Sequence, residues 1–150
     1  MKKEEVMVER LDYYSGQDLE DLGKLMHYLS DKFDGSPIDQ NLIEDIIESP
    51  YHDQLIARIE GRIVGAATMS IIMGAGAGKK GYLNDFVVDP EYKKQGIGGK
   101  VWEEMIRWCE EYGVDLEFTS SPNRLDAHDF YESHGAKIRE TDNFHVSIKK

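Results

Sequence analysis

The sequence has a single cysteine, Cys109, and no long apolar run. One thiol excludes an internal disulfide and any metal site built on paired thiolates, and the five histidines are scattered without metal-ligand spacing, so we expect no metal. No stretch approaches the ~20 apolar residues of a spanning helix. The first residues, MKKEEVMVERLDYY, lack the apolar centre of a signal peptide. These absences favour a soluble cytoplasmic protein.

Basic residues are scarce. There are 18 lysines and arginines against 29 acidic residues, and the net charge is -11. This balance argues against nonspecific binding to nucleic acid or to an anionic membrane, and it suits a cationic or neutral partner. Local charge differs from the total, because several lysines gather around two glycine-rich stretches, namely Lys79, Lys80, Lys93, Lys94 and Lys100.

A chain of 150 residues is close to the commonest single-domain size. We found no internal repeat, no linker and no low-complexity segment beyond GAGAG at residues 74–78. The sequence therefore predicts one domain over residues 1–150.

Apolar spacing predicts the order strand, two helices, three strands, helix, strand, helix and one or two final strands. The strands are predicted in VMVERL, in QLIARIEGRIVGAATMSIIM with a turn at Glu60-Gly61-Arg62, in GYLNDFVV, in VDLEF and in FHVSI. The helices are predicted in DLEDLGKLMHYL, DGSPIDQNLIEDIIESP, GKVWEEMIRWCEEYG and RLDAHDFYESHG. The pattern indicates one mixed α/β layer system whose three central strands form an antiparallel meander.

For the second and third helices, the sequence also predicts an end of the helix and its buried face. In the second helix, Ser36 is a candidate cap and Pro37 the first helical residue, followed by an apolar stripe at Leu42, Ile43, Ile46 and Ile47. In the third helix, a buried face is predicted at Val101, Met105, Ile106 and Cys109, and Gly113 closes the helix.

The stretch GAGAGKKG resembles a nucleotide-triphosphate phosphate loop but does not match one. That motif needs glycine where Met73 stands and serine or threonine where Lys80 stands, and it precedes a helix, whereas this stretch precedes a predicted strand. We therefore interpret it as a hairpin loop, which disfavours a nucleotide-triphosphate hydrolase.

A second glycine-rich stretch, DPEYKKQGIGGKVW, lies between a predicted strand and a predicted helix. Backbone N–H groups at a helix amino terminus are unpaired and carry a partial positive charge, and glycine lets a phosphate approach them. Gly96, Gly98 and Gly99 therefore form a candidate anion site. The alternative is a tight strand-to-helix turn that happens to be rich in glycine.

The segment VVDPEYKKQGIGGKVWEEMIRWCEEYG resembles the coenzyme A signature of the GNAT superfamily of acyl-CoA N-acyltransferases. The signature, which begins with Arg or Gln, aligns with Lys93 to Gly98, so Lys93 departs from it. AHDFYESHGAK resembles the second signature, a helix with a central tyrosine that ends in glycine. The resemblance implies a mostly antiparallel sheet of six to seven strands with about four helices, splayed between the fourth and fifth strands.

The resemblance also implies roles for residues. The main chain of the third central strand would bind pantetheine, the glycine turn would bind pyrophosphate, and many members have a further contact at the position of Arg124, beside Asn123. The expected coenzyme contacts are Phe86, Val87, Val88, Lys93, Lys94, Gln95, Gly96, Ile97, Gly98, Gly99, Lys100, and Asn123 or Arg124. Tyr131 matches the tyrosine that protonates the departing thiolate, with a core aromatic as the alternative.

The proton acceptor is left open by the sequence. Polyamine-acetylating relatives carry an acid where Asn84 stands, whereas Asp85, the next residue, should face the other side of a regular strand. Asn84 and Asp85 are candidate substrate contacts, and a water chain to a distant glutamate or to His128 is an alternative route for the proton.

The resemblance implies an N-acetyltransferase that moves the acetyl group of acetyl-CoA to a primary amine. Because Cys109 falls on a predicted buried face, direct transfer is favoured over an acetyl-cysteine intermediate. Net acidity favours a small cationic acceptor, with a protein N-terminus or lysine as the alternative acceptor. A catalytically silent acyl-CoA sensor is the alternative function. No nucleic acid or membrane partner is expected, and a homodimer is an open alternative to a monomer.

Overall fold

The computed structural model describes residues 5–148. The chain divides into a first compact unit that ends at Phe118 and a second that begins at Thr119, and each is described by itself.

The first unit is built on a five-stranded sheet in the order β1 to β5. Its strands are β1 (Met7–Arg10), β2 (His52–Ile59), β3 (Arg62–Gly74), β4 (Gly78–Val88) and β5 (Leu116–Glu117). Its helices are α1 (Gly16–Leu29), α2 (Gln40–Glu48) and α3 (Ile97–Tyr112), with a short 3₁₀ turn at Pro90–Tyr92. The second unit contains α4 (Leu125–Ser133).

Neighbouring strands are antiparallel except β4 and β5, which are parallel. The mixed, mostly antiparallel sheet with four α-helices is confirmed over the described residues. None of the described helices has the length and apolar character needed to cross a membrane.

Both predicted hairpins are present. Glu60 (φ 49°) and Gly61 (φ 80°) form the turn between β2 and β3, and two left-handed residues are what a tight hairpin needs. The GAGAG stretch joins β3 to β4, with Gly74 paired to Gly78. The interpretation of this stretch as a hairpin loop is confirmed.

The second helix begins later than predicted, at Gln40, and its cap is Asp39, which accepts a hydrogen bond from the Asn41 N–H at 2.7 Å. Ser36 is not a cap. The segment that connects α1 to α2 lies against α1, because the Ile38 N–H donates to the Leu19 carbonyl at 3.0 Å. This hydrogen bond keeps the segment out of a helical turn.

The connection depends on Gly23 of α1, and one residue of the predicted apolar stripe of α2 lies outside the core. A Cβ on Gly23 would lie 2.0 Å from the Ser36 carbonyl oxygen, so only glycine allows the connection to pass so close to α1. Leu42 was expected on the apolar stripe but is 53% exposed, whereas Ile43 is buried.

The sheet has a packed layer on each face. On one face, α1 and α2 cover the sheet with a core of Leu11, Leu22, Leu25, Ile43, Ile56, Ile63, Ala66 and Val87. On the other face lies α3, whose buried residues are Ile97, Val101, Trp102, Met105, Trp108 and Cys109. The sheet approaches α3 at glycines, since a Cβ on Gly65 would lie 3.3 Å from Ile97 Cγ2 and one on Gly81 would lie 3.4 Å from Trp108 Cζ3.

The predicted final strand, FHVSI, is wrong for the described residues, which therefore hold five strands where six to seven were expected. Its apolar residues are exposed, with Phe144 at 87% and Val146 at 77%. Alternation makes a segment suitable for a strand, but a strand forms only where a neighbour takes up its backbone hydrogen bonds. The described residues of the second unit contain no such neighbour.

Candidate active site

The amino terminus of α3 has no side-chain cap. Its N-cap residue, Gly96, has φ 76° and forms no side-chain cap bond, whereas α1 and α2 are capped by Ser15 and Asp39. The first intrahelical bond is donated by the Lys100 N–H to the Gly96 carbonyl at 3.1 Å. The three preceding N–H groups therefore point out of the helix end without an intrahelical partner, as an anion site requires.

Two of the glycines at this helix end leave open space. A Cβ on Gly96 or on Gly99 would meet no atom within 4 Å. Gly96 is explained by its left-handed backbone, but Gly99 has neither a positive φ nor a crowded neighbour. Because nothing among the described residues requires glycine at position 99, the missing side chain leaves room for an anionic ligand at the helix end.

Three exposed lysines flank the open helix end. Lys93 and Lys94 precede the glycine turn, and Lys100 follows it in the first turn of α3. Lys94 has φ 68°, an uncommon conformation for a residue with a side chain, and such strain is frequent at ligand sites. Their charge adds to the positive end of the helix dipole, although the whole protein is acidic.

Strand β4, which leads into the glycine turn, contains a bulge. Ala66 pairs with Val87 and Thr68 pairs with Asn84, so Ala67 alone faces the two residues Asp85 and Phe86. Asp85 has φ 54°, in the left-handed region. The expectation that Asp85 faces away from Asn84 assumed a regular pleat, and a bulge removes that premise.

The sheet opens beside the bulge. Strands β4 and β5 pair only at Gly81 with Leu116 and at Tyr82 with Glu117, where a Lys80–Glu117 ion pair at 3.2 Å adds to the contact. The ladder ends there, so the part of β4 that runs from Leu83 to Val88 lies outside it. The expected splay between the fourth and fifth strands is confirmed.

Asp85 and Cys109 have opposite prospects as reactive groups. Partial desolvation raises the pKa of Asp85 while its side chain keeps access to solvent, which makes it a stronger base than an ordinary aspartate. Burial, and then the nearby Asp115 and Glu110 charges, raise the pKa of Cys109 to about 11. The Cys109 thiol is therefore protonated at neutral pH, and the predicted burial of Cys109 is confirmed.

The second unit holds the remaining predicted residues. Arg124 is the N-cap residue of α4, and the Asn123 carboxamide oxygen accepts a hydrogen bond from the Ser121 hydroxyl. Tyr131 lies on α4 with its ring 6.0 Å from that of Phe130 in an edge-on arrangement. Burial raises the pKa of the Tyr131 phenol, and the Arg124 charge acts in the opposite direction. A raised pKa keeps this phenol protonated at neutral pH.

His128 has a local structural contact, since its Nε2 lies 2.9 Å from the Ser121 carbonyl oxygen. Over residues 5–148, no group of three or more histidine, cysteine, aspartate or glutamate side chains could hold a metal ion.

Sequence reasoning missed two polar residues near the bulge, Gln54 on β2 and Thr68 on β3. They pair directly with each other, and the Thr68 hydroxyl donates to Gln54 Oε1 at 2.9 Å. The available signal was a polar residue next to or within an apolar run, namely Gln54 before LIA and Thr68 within IVGAATM.

Comparison with known proteins finds similar sequences and similar folds. An L-amino acid N-acetyltransferase of Escherichia coli is 28% identical over 109 residues, which are 70% of this chain and 65% of that enzyme. The alignment thus spans less than two thirds of that relative.

Two solved structures share the fold. An aminoglycoside acetyltransferase, meta-AAC0020, from an uncultured soil metagenomic sample and in complex with trehalose, superposes with a TM-score of 0.80 at 22% identity, covering 96% of this chain and 97% of that one. The enzyme AAC(6')-Iy, in complex with the bisubstrate analog CoA-S-monomethyl-acetylneamine, gives a TM-score of 0.76 at 20% identity, covering 97% and 99%. The acetyltransferase (GNAT) family model matches residues 19–136. The chain therefore belongs to the GNAT family of acetyltransferases.

Proposed function

We propose that the protein is an acetyl-CoA-dependent N-acetyltransferase that transfers the acetyl group directly to a primary amine of a small cationic molecule. The observation that carries this proposal is the uncapped glycine end of α3, where Gly99 is required by neither strain nor crowding. This glycine end follows β4 in the chain, and the β4–β5 ladder stops before the end of β4. A phosphate site and an open strand edge in this order suit a coenzyme with a pyrophosphate and an amide-containing arm.

The coenzyme would be held mainly by backbone groups. The main chain of Phe86, Val87 and Val88 would bind the pantetheine arm, and N–H groups of the turn from Lys94 to Gly99 would bind the pyrophosphate. Each charge-assisted contact of this kind contributes about 1.5–3 kcal/mol, so several together hold an anion without a large basic patch. Overall acidity is therefore compatible with binding a polyanionic coenzyme.

Acetyl-CoA supplies a thioester whose carbonyl carbon takes the amine nitrogen as its sulfur leaves. The attacking amine must be neutral, yet an alkylamine with a pKa near 10.4 is almost wholly protonated at pH 7. Asp85, whose pKa is raised by desolvation, is the best candidate proton acceptor. Tyr131, kept protonated by its raised pKa, is the candidate donor to the leaving thiolate.

The acceptor class is supported by charge and by the relatives. A net charge of -11 attracts cations, and the E. coli relative is an L-amino acid N-acetyltransferase. The aminoglycoside acetyltransferase meta-AAC0020 shares the fold, and a polar amine acceptor is compatible with that likeness. A cytoplasmic location and a homodimer stay predictions from the sequence.

Thiol release from acetyl-CoA, measured with a panel of polyamines, amino acids and aminoglycosides, tests the proposal. Reactions without amine give the background hydrolysis rate. We expect at least one amine to raise release well above that rate. Tight acetyl-CoA binding with no amine-dependent release would instead identify a silent acyl-CoA sensor.

A further inference from the structure

The sheet face covered by α1 and α2 changes from apolar to polar between two neighbouring rows. The last apolar row, linked by direct cross-strand pairs, is Ile56, Ala66, Val87. In the next row, Gln54 pairs with Thr68 and Thr68 pairs with Asn84. Exposure rises along this polar row, since Gln54 is buried, Thr68 is half-buried and Asn84 is exposed. The helical cover therefore ends at a polar row that a ligand can reach from the Asn84 side.

The buried end of this row has a fixed orientation. Gln54 Nε2 donates to the carbonyl oxygens of Leu55 at 3.2 Å and Ala67 at 3.3 Å. Turning the carboxamide over would place Oε1 against these two oxygens, where no hydrogen bond can form. The two backbone carbonyls therefore direct Gln54 Oε1 toward Thr68.

This orientation determines what Thr68 can offer to a ligand. Because Gln54 Oε1 can only accept, the Thr68 hydroxyl must donate its single proton to it, over 2.9 Å. The lone pairs of Thr68 Oγ1 remain, and they can only accept a hydrogen bond. Thr68 thus presents a pre-oriented acceptor, which suits an N–H donor and disfavours a carbonyl or carboxylate.

Thr68 also lies beside the bulge. Its partner Asn84 immediately precedes Asp85, and adjacent strands are about 4.8 Å apart. The polar row is therefore the row of this sheet face that lies directly beside the bulge.

We propose that Thr68 is a substrate-binding residue whose hydroxyl oxygen accepts a hydrogen bond from an N–H group of the acceptor amine, with Gln54 as the residue that orients it. This inference rests on the proposed function and deepens it, because it assigns the acceptor side of the site to the polar row of β2, β3 and β4.

The test compares Thr68→Val, which removes the hydroxyl at nearly constant shape, with Thr68→Ser, which keeps it. Ser70→Ala is the matched control, because Ser70 lies on the same face of β3 one row farther from the bulge. Spermidine, L-lysine and kanamycin are titrated calorimetrically into each protein saturated with CoA, and each protein is separately titrated with CoA alone. Turnover of the best-bound amine is then measured.

We expect Thr68→Val to weaken amine binding about tenfold, as for one lost hydrogen bond. Thr68→Ser and Ser70→Ala should stay within about threefold of wild type, and CoA affinity should be unchanged in all three. Equal amine affinity in Thr68→Val and wild type, or an equal loss in Thr68→Ser, would overturn the inference while leaving the acetyltransferase proposal intact. If the wild type neither binds nor acetylates any probe, the proposed acceptor class fails and this inference fails with it.

Discussion

Leu83 and Val87 are four residues apart on β4, yet their side chains lie on opposite faces of the sheet. Val87 belongs to the core under α1 and α2, whereas Leu83 pairs with Met69 on the α3 side, the side where Gly81 meets Trp108. In a regular strand, residues four apart share a face. The bulge at Asp85 and Phe86 reverses the alternation and brings Asn84 onto the face of Thr68, so it organises the polar row beside the open edge.

The glycine turn provides the first prediction. Gly98→Asp places a carboxylate in the first turn of α3, where an acidic residue is compatible with the helix dipole but repels a phosphate. We expect acetyl-CoA affinity to fall at least about a hundredfold, with a melting temperature within about 2 °C of wild type.

The matched control is Gly76→Asp, which adds the same charge in the β3–β4 hairpin, where a Cβ meets no atom within 4 Å. Calorimetric titration of both variants with acetyl-CoA makes the comparison. Unchanged affinity in Gly98→Asp would remove the basis for placing the coenzyme at α3.

Tyr131→Phe separates a general acid from a packing residue. A thiolate needs only modest help to leave, so deletion of the hydroxyl should lower turnover by roughly 10²-fold, at the lower end of general-acid effects. Because the ring remains, coenzyme affinity and melting temperature should hardly change. Turnover at saturating amine and thermal unfolding are measured on one preparation, and full turnover in the variant would end the general-acid assignment.

Asn84→Glu tests whether a base on the polar row assists the reaction. A carboxylate there would accept the amine proton at any pH above its own pKa, so activity toward alkylamines should rise severalfold near pH 7 and converge with wild type at alkaline pH, where the free amine is abundant. Asn84→Gln, which lengthens the side chain without adding charge, is the control. A pH–rate profile that matches wild type would show that the proton leaves by another path.

Asp18→Asn tests the acid stability of the first unit. Arg58 donates to both Asp18 oxygens, at 2.8 and 3.0 Å, and this holds the pKa of Asp18 below its ordinary value of 3.8. A lowered folded-state pKa means that the stabilisation is complete above about pH 4 and is lost as the pH falls through the folded pKa. The variant should be less stable than wild type by roughly 1–3 kcal/mol at pH 7.

Urea unfolding between pH 7 and pH 2.5 measures this difference, with the exposed Asp31→Asn as the control. The gap between Asp18→Asn and wild type should narrow below pH 4. A gap that stays constant down to pH 2.5 would show that the ion pair is not its source.

The sequence predicted those parts of the fold that depend on local patterns. Helix α3, its closing Gly113 and the turn at Glu60 and Gly61 follow from apolar period and from backbone conformation, which neighbouring residues largely determine. The start of α2 was mispredicted, because the contact of the connection with Gly23 competes with a helical turn at Ser36. The final strand failed for a similar reason, since pairing depends on a partner that the segment itself does not specify.

The same distinction between local and long-range features applies to the candidate site. The uncapped glycine turn could be predicted because anion binding by a helix end needs only contiguous residues. The bulge at Asp85 could not be predicted, because it depends on the register between β3 and β4. The Gln54–Thr68 pair depends on residues 14 positions apart that meet only when β2 and β3 are in register.

We infer that this protein acetylates amines with acetyl-CoA whose pyrophosphate is bound at the α3 glycine turn. The most direct measurement quantifies free CoA and N-acetylated amine by mass spectrometry in the same reaction, for wild type and for Gly98→Asp. We expect equal molar amounts of both products with wild type and neither above background with the variant. Release of CoA without an acetylated amine, or equal product from both proteins, would contradict it.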